Sequence, residues 1–255
     1  MQLSIVIPAY NEAVNLEAFV TRFIESAPEA LAPILREVIV VENGSKDGTL
    51  DACRRLQQRF PQLVEVRTLG RGSYGEAIKT GMLQSQGTHV SILECDFLDW
   101  RFVAASIEAI RNGGAQFVVG SKRHRKSVDR RPIKRRMLTF LYNLVFLRIL
   151  MGYRGTDTHG LKTIETRVAK RLCEIAMTTD EIFQTEIVLL AWRLGVAIEE
   201  VPVQILEMRN PTVSVRRRLP KVINTVDALK QSLARFPKDS AQLEEQRRLL
   251  PQESE

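Results

Sequence analysis

Short continuous apolar runs alternate with longer stretches whose apolar positions recur at helical spacing, and this holds over the first 120 residues. Leu3 to Ile7 is the first run, closed by Pro8 and followed by Tyr10-Asn11-Glu12. Val14 to Ile24 then puts Leu16, Phe19, Val20 and Phe23 on one face, which predicts a helix. The β-branched run Glu37 to Val41 stops at Glu42-Asn43-Gly44-Ser45, and Asp47 to Phe60 is helical with Asp47 as its predicted N-cap. Strands are predicted at Val64 to Thr68, His89 to Leu93 and Phe117 to Val119, with helices at Glu76 to Gln84 and Phe102 to Arg111 between them.

Strand and helix linked by short connectors predict an α/β chain with a mostly parallel sheet and helices on both faces. Strands buried on both faces read as unbroken apolar runs, as these do. Ligands of such sheets bind beyond the carboxyl ends of the strands. Pro8 to Glu12, Glu42 to Ser45 and Glu94 to Asp96 all follow strands, so they are expected to share one site. The second half changes character. A segment dense in lysine and arginine, Lys122 to Arg136, precedes an apolar helix from Met137 to Met151. Helices are expected near Glu165 to Cys173, at Phe183 to Leu194 and at Lys221 to Phe236. A late strand is expected at Ile198 to Val203. Residues 237–255 read as a polar tail.

Composition narrows the possibilities. Apolar residues make up 44%, enough for a large core. The formal charge of +7 favours anionic partners. Cys53, Cys95 and Cys173 form neither a paired pattern nor a CxxC motif, which argues against a disulfide framework and for a reducing, cytoplasmic compartment. His89, His124 and His159 show no ligand spacing. The N-terminus reads as a strand, not a signal peptide. The longest apolar stretch, Met137 to Leu147, is flanked by Arg135, Arg136 and Arg148 and is too short to span a bilayer. It suits a membrane interface or a buried helix.

Glu94-Cys95-Asp96 carries the first chemical signal. Carboxylates two apart at a strand end point to one side, since strand side chains alternate. Such a pair can hold a hard divalent cation, Mg2+ or Mn2+, that bridges a diphosphate. A solvated loop is the plain alternative. The basic segment has three readings: a solvated loop, a nucleic-acid surface, or a site for a lipid phosphate beside an interfacial helix. Single-strand binders interleave aromatic residues with their basic ones, and this segment has none before Phe140, so nucleic acid is not expected. In the lipid reading, cations meet the phosphate head while Leu138, Leu141, Leu144 and Val145 meet the polyprenyl chain.

Pro8-Ala9-Tyr10-Asn11-Glu12, Glu42-Asn43-Gly44-Ser45, Gly75-Glu76-Ala77 to Gly81 and Glu94-Cys95-Asp96, in that order, resemble the nucleotide-sugar half of inverting family 2 glycosyltransferases with a Rossmann-like GT-A fold. The resemblance covers about residues 3 to 230. It implies a three-layer sandwich with a mostly parallel central sheet, in which residues 1–120 form the nucleotide-sugar half and 121–236 the acceptor half. It implies that Pro8, Tyr10, Glu12, Val41 and Asn43 line the base and ribose pocket, and that Glu94 and Asp96 hold the cation. Arg135 and Thr139 resemble an arginine and serine that contact the acceptor phosphate in polyprenyl-phosphate mannose synthases, and Arg209 and Ser214 resemble a pair in a loop that closes on the phosphates. Asp96, Arg135, Thr139 and Arg209 are thus the expected catalytic set. Lys122, Asp157, Glu186 and Ser214 join the substrate-binding set. Asp157-Thr158-His159-Gly160-Leu161-Lys162 is similar to the family's Asp-x-x-Gly-Phe-Arg.

What the resemblance implies is sugar transfer, with inversion, from GDP-mannose or a UDP-sugar to a polyprenyl or dolichyl phosphate. The partners are then a nucleotide sugar, a lipid-phosphate acceptor and the cytoplasmic face of a membrane, held peripherally. Two alternatives stand beside it: a hydroxyl acceptor, with Asp157 or Glu186 as base, or an inactive nucleotide-binding or membrane-adaptor relative. The chain departs from the family pattern in three places. Asn43 stands where an aspartate is usual, Glu94 where the first Asp of Asp-x-Asp is usual, and Leu98 where a glutamine often coordinates. Asp99 is an alternative ligand one residue on.

Overall fold

The computed structural model describes residues 1–70, 72–129, 137, 140–205 and 226–236. Its strands are β1 (Leu3–Ala9), β2 (Leu35–Glu42), β3 (Val64–Thr68), β4 (His89–Ile92), β5 (Phe117–Ser121), β6 (Val128–Asp129), β7 (Lys162–Glu165), β8 (Ile198–Pro202) and β9 (Gln204–Ile205). Its helices are α1 (Leu16–Glu25), α2 (Thr49–Arg59), α3 (Tyr74–Gln84), α4 (Trp100–Gly113), a π-helix (Tyr142–Leu150), α5 (Thr166–Ile175) and α6 (Phe183–Arg193). A further helix runs over residues 226–234.

Seven strands make one sheet in the order β3-β2-β1-β4-β7-β5-β8, and β6 pairs with β9 in a small ribbon. The alternation of each strand divides the core in two. Ile5, Ile7, Val38 and Val40 face Leu16, Val20, Leu56, Phe102 and Val103 on α1, α2 and α4. Val6, Ile39, Ile92, Phe117 and Ile164 face Ile78, Met82, Val168, Leu172 and Ile187 on α3, α5 and α6. Helices on both faces of a mostly parallel sheet give the expected three-layer α/β sandwich. Gly81 sets the spacing of one layer: a Cβ there would collide with Val6 of β1, so only glycine lets α3 lie this close to the sheet.

The structure departs from the sequence expectations at several points. β7 is not among the expected strands, since only Lys162 falls in the family-like motif and Glu165 in an expected helix, yet it sits mid-sheet, antiparallel to both β4 and β5. Its first residue, Lys162, is fully buried, so the strand lacks the unbroken apolar run that marks its neighbours. Helix α1 starts at Leu16 and leaves Val14 exposed. Gly48 rather than Asp47 is the N-cap of α2, and Asp47 reaches forward from one residue earlier to accept from the Thr49 amide at 3.0 Å. Asp99 is the N-cap of α4 and accepts from Arg101 N at 2.9 Å, so its carboxylate serves the helix start.

The expected apolar helix is present, and Tyr142–Leu150 adopts the wider π turn. One stripe, Phe146 and Leu147, enters the core, while Phe140, Leu141, Val145, Ile149 and Leu150 are exposed. Of the residues expected to meet a lipid chain, Leu141 and Val145 are therefore on the surface; Leu138 lies outside the described residues. Among the described residues no helix is long and apolar enough to cross a membrane.

Candidate active site

Parallel β1, β2 and β4 end together, because β1 is the hydrogen-bonded neighbour of both others. Their following loops therefore meet at one edge. Hydrogen bonds tie the first loop to the second: Asn11 N donates to Ser45 Oγ (3.0 Å), Lys46 N to Asn11 Oδ1 (3.0 Å) and Glu12 N to Thr49 Oγ1 (2.8 Å). Asn11 holds a left-handed backbone (φ 53°), which asparagine tolerates better than most residues. The backbone N–H of Asn43 donates to Ala9 O at 2.9 Å, and its side-chain oxygen accepts from Ser73 N at 2.7 Å. A third loop is drawn in this way to the first two.

The convergence encloses a cavity of about 390 Å³ lined by Pro8, Ala9, Tyr10, Glu12, Asn43, Tyr74, Glu94, Cys95, Asp96, His159, Glu181 and Gln184. Six expected site residues are thus together: Pro8, Tyr10, Glu12, Asn43, Glu94 and Asp96. Val41 is a fully buried strand residue behind them. Lys122 and Asp157 lie off the cavity wall. The Asp157 carboxylate accepts from Lys122 N (3.1 Å) and His159 N (3.0 Å), which shapes the loop that delivers His159. Glu200 on β8 anchors that loop by accepting from Thr156 N at 2.5 Å. Glu186 also lies elsewhere, fully buried, accepting from Met177 N (2.8 Å), Thr178 N (2.8 Å), Thr178 Oγ1 (2.5 Å) and Ser232 Oγ. Arg135, Thr139, Arg209 and Ser214 lie outside the described residues.

Glu94 and Asp96 reach the cavity by a route that strand alternation does not describe. β4 ends at Ile92, and Glu94 to Phe97 is a tight turn closed by Phe97 N donating to Glu94 O at 2.8 Å. The turn, not the pleat, brings the two carboxylates to one wall, with the Cys95 residue buried between them.

Sequence reasoning did not single out Tyr74, Gln184, Glu181 or Lys162. Tyr74 opens α3 and Gln184 lies in the first turn of α6, both aimed at the sheet edge. Gln184 Nε2 donates to Tyr74 Oη at 2.6 Å, and Tyr74 Oη donates to Glu94 Oε1 at 3.4 Å. Burial, with Glu94 adding to it, raises the Tyr74 phenol well above its ordinary value, so it stays protonated. Gln184 Oε1 accepts from Gly160 N (3.2 Å) and from Lys162 Nζ, which also donates to Gly160 O at 2.8 Å. Burial lowers the Lys162 ammonium from 10.5 to about 7, opposed by Asp157 and Glu94 and assisted by Lys122. The family-like motif contained Lys162, but no rule of spacing separates a buried lysine from a solvated one.

Four carboxylates, Glu12, Glu94, Asp96 and Glu181, line the cavity, so an anion could enter only with a cation. Oxygen donors in pairs suit Mg2+ or Mn2+. Among the described residues no three acidic, histidine or cysteine side chains form a metal cage. Glu94 and Asp96 supply two carboxylates of that kind from one turn.

The chain is 26% identical over 210 residues to a dolichyl-phosphate beta-glucosyltransferase of Trichomonas vaginalis, covering 79% of this chain and 65% of that protein. It is 28% identical over 221 residues to the dolichyl-phosphate beta-glucosyltransferase of Dictyostelium discoideum, covering 81% and 67%. The chain thus spans about two thirds of the length of these curated relatives. The fold matches the crystal structure of glucosyl-3-phosphoglycerate synthase from Mycobacterium tuberculosis in complex with Mn2+, UDP-glucose and phosphoglyceric acid. That match has a TM-score of 0.64 at 20% identity and covers 94% of this chain and 81% of that one. The model of glycosyl transferase family 2 matches residues 4–172, from β1 into α5. The chain belongs to glycosyl transferase family 2.

Proposed function

We propose that the chain transfers a sugar from a nucleotide diphosphate sugar to a polyprenyl-phosphate type acceptor, with inversion at the anomeric carbon. The observation that carries this reading is the convergence of Tyr10, Glu12 and Asn43 with Glu94 and Asp96 in one acidic cavity at the strand ends. Tyr10 offers a ring face and Asn43 an amide donor to a base and ribose. Glu94 and Asp96 would hold a divalent cation, which supplies charge neutralisation for the departing diphosphate. The structural relative solved with Mn2+ and UDP-glucose is in keeping with this donor set.

In the proposed reaction an oxygen of the acceptor phosphate forms the new bond to the anomeric carbon. The bond from that carbon to the β-phosphate oxygen breaks, and the nucleoside diphosphate leaves with the electron pair. A phosphate monoester is anionic near neutral pH, so no side chain need remove a proton. The two carboxylates that a hydroxyl acceptor was expected to call on, Asp157 and Glu186, are already held by backbone amides, which favours the phosphate acceptor. The lipid-linked acceptors named for the two curated relatives support the same choice. The exposed apolar side chains Leu141, Val145, Ile149 and Leu150 would rest on the membrane that carries the lipid, with Arg123 and Arg148 beside them for its phosphates.

The test has two arms. UDP- and GDP-sugars are screened for thermal stabilisation with and without Mn2+, first on the parent and then on Glu94→Gln and Asp96→Asn. The nucleotide sugar that binds is then offered a polyprenyl phosphate or free sugar alcohols, and the product is identified by mass. Stabilisation that needs Mn2+ and both carboxylates, followed by a sugar-phosphate-lipid product, is the expected result. Transfer to hydroxyls alone would overturn the acceptor, and failure to retain any nucleotide sugar with Mn2+ would overturn the enzyme.

A further inference from the structure

From the cavity wall a line of polar side chains runs inward, from Glu94 through Tyr74 and Gln184, which line the cavity, to Lys162, which is fully buried behind them. Nothing in the proposed chemistry uses its inner members. Burying a lysine and a glutamine in a core is costly unless each polar atom is satisfied, so the arrangement calls for a reason.

The donors and acceptors leave only one direction along this line. A lysine side chain can only donate while charged, and when neutral it still has two N–H groups for Gly160 O and Gln184 Oε1. The Gly160 backbone N–H can only donate, so the Gln184 atom 3.2 Å from it is the acceptor Oε1, which also accepts from Lys162. With its oxygen committed inward, the glutamine must turn its NH2 outward, where it donates to Tyr74 Oη at 2.6 Å. The phenol has a single proton, and with its oxygen accepting from Gln184 that proton points to Glu94 Oε1, 3.4 Å away. The last link is long for an O–H···O bond, and the links behind it are what aim it.

We propose that Lys162, Gln184 and Tyr74 form a one-way hydrogen-bond relay that orients Glu94 as a cation ligand. All three are positioning residues, acting through Glu94 and not on the sugar. Partners that orient a metal ligand from behind commonly contribute about 10- to 100-fold in metal affinity. The glutamate at this position has one more methylene than aspartate and so one more torsion to restrain, and the relay supplies that restraint. The inference rests on the reading of Glu94 as a cation ligand given above.

The decisive variants are Tyr74→Phe and Gln184→Glu. The first deletes the last donor and keeps the ring. The second keeps shape and the contacts with Lys162 and Gly160 N, but a carboxylate cannot donate to Tyr74, so the phenol proton turns inward and abandons Glu94. Mn2+ binding to the 255-residue chain is measured by the EPR signal of free Mn2+, with UDP and GDP in separate arms, beside a melting curve for each variant. The relay predicts that each single variant binds Mn2+ about tenfold or more weakly while still melting cooperatively. It also predicts that the double variant is no weaker than the weaker single, because both changes cut one path. Parent and variants retaining Mn2+ within twofold of one another would overturn the relay alone, as would losses that multiply in the double variant. A parent that retains no Mn2+ in either arm would overturn the cation reading itself.

Discussion

The side-chain oxygen of Asn43 accepts from the backbone N–H of Ser73 at 2.7 Å, joining the loop after β2 to the start of α3. Asparagine and aspartate can both accept this bond. The consequence of asparagine lies in its second group, an NH2 that can donate to a nucleotide where a carboxylate cannot. Asn43→Ala should cost about 1 kcal/mol of stability through the lost bond and weaken nucleotide binding. Asn43→Asp should keep the stability and shift the ratio of UDP to GDP affinity. Urea titration and calorimetry read the two effects, and an unchanged ratio in the aspartate variant would deny Asn43 a role in base or ribose recognition.

Glu186 should behave as a structural residue. Its buried carboxylate gathers the 177–178 turn and Ser232 of the last helix onto α6. Glu186→Ala leaves the buried Ser232 Oγ and three partly buried donors of Met177 and Thr178 without their acceptor, and a loss of about 3 kcal/mol in chemical denaturation is expected. Full stability with abolished turnover would instead place it in the chemistry.

The pH dependence of stability carries the signature of Lys162. Its folded value of about 7 lies below the ordinary 10.5. Below pH 7 both folded and unfolded chains hold the proton, and the cost of burying the charge is fully present. Between about 7 and 10.5 the folded chain has released the proton and the unfolded chain has not, so stability rises with pH. The unfolding free energy of the parent minus that of Lys162→Met should therefore climb across this window, at no more than about 1.4 kcal/mol per pH unit. A flat difference would show that Lys162 keeps its charge when buried.

Val145 and Ile149 are 42% and 67% exposed on the π-helix, while Phe146 and Leu147 between them are buried. Val145→Glu and Ile149→Glu should leave the melting temperature close to that of the parent and reduce co-sedimentation with anionic vesicles. Added salt should weaken the parent's binding as well, since part of the attraction is electrostatic. Equal vesicle binding by parent and variants would remove this face from the membrane reading.

Arg135→Ala separates acceptor from donor. If Arg135 holds the acceptor phosphate, KM for a polyprenyl phosphate should rise about tenfold or more, with nucleotide affinity within twofold of the parent. Equal losses in both would count against the assignment.

The alternation of apolar runs and helical spacing in residues 3–120 was enough to place β1 to β5 and α1 to α4 in order, because the strands there, apart from the edge strand β3, are largely buried on both faces and each helix on one. It also brought Glu12, Asn43 and Glu94 to one sheet edge, since loops after neighbouring parallel strands must emerge together. The family motifs could be read for the same reason: they sit where that edge demands polar residues. Local pattern was silent wherever burial and polarity disagree. β7 begins with a buried lysine, Gln184 is a polar residue turned inward, and Glu186 is a carboxylate used to tie backbone. Whether such a side chain meets solvent, ligand or protein depends on what the chain folds against it. The line of bonds from Lys162 to Glu94 exists only because Tyr74 and Gln184, 110 residues apart, are packed within hydrogen-bonding reach.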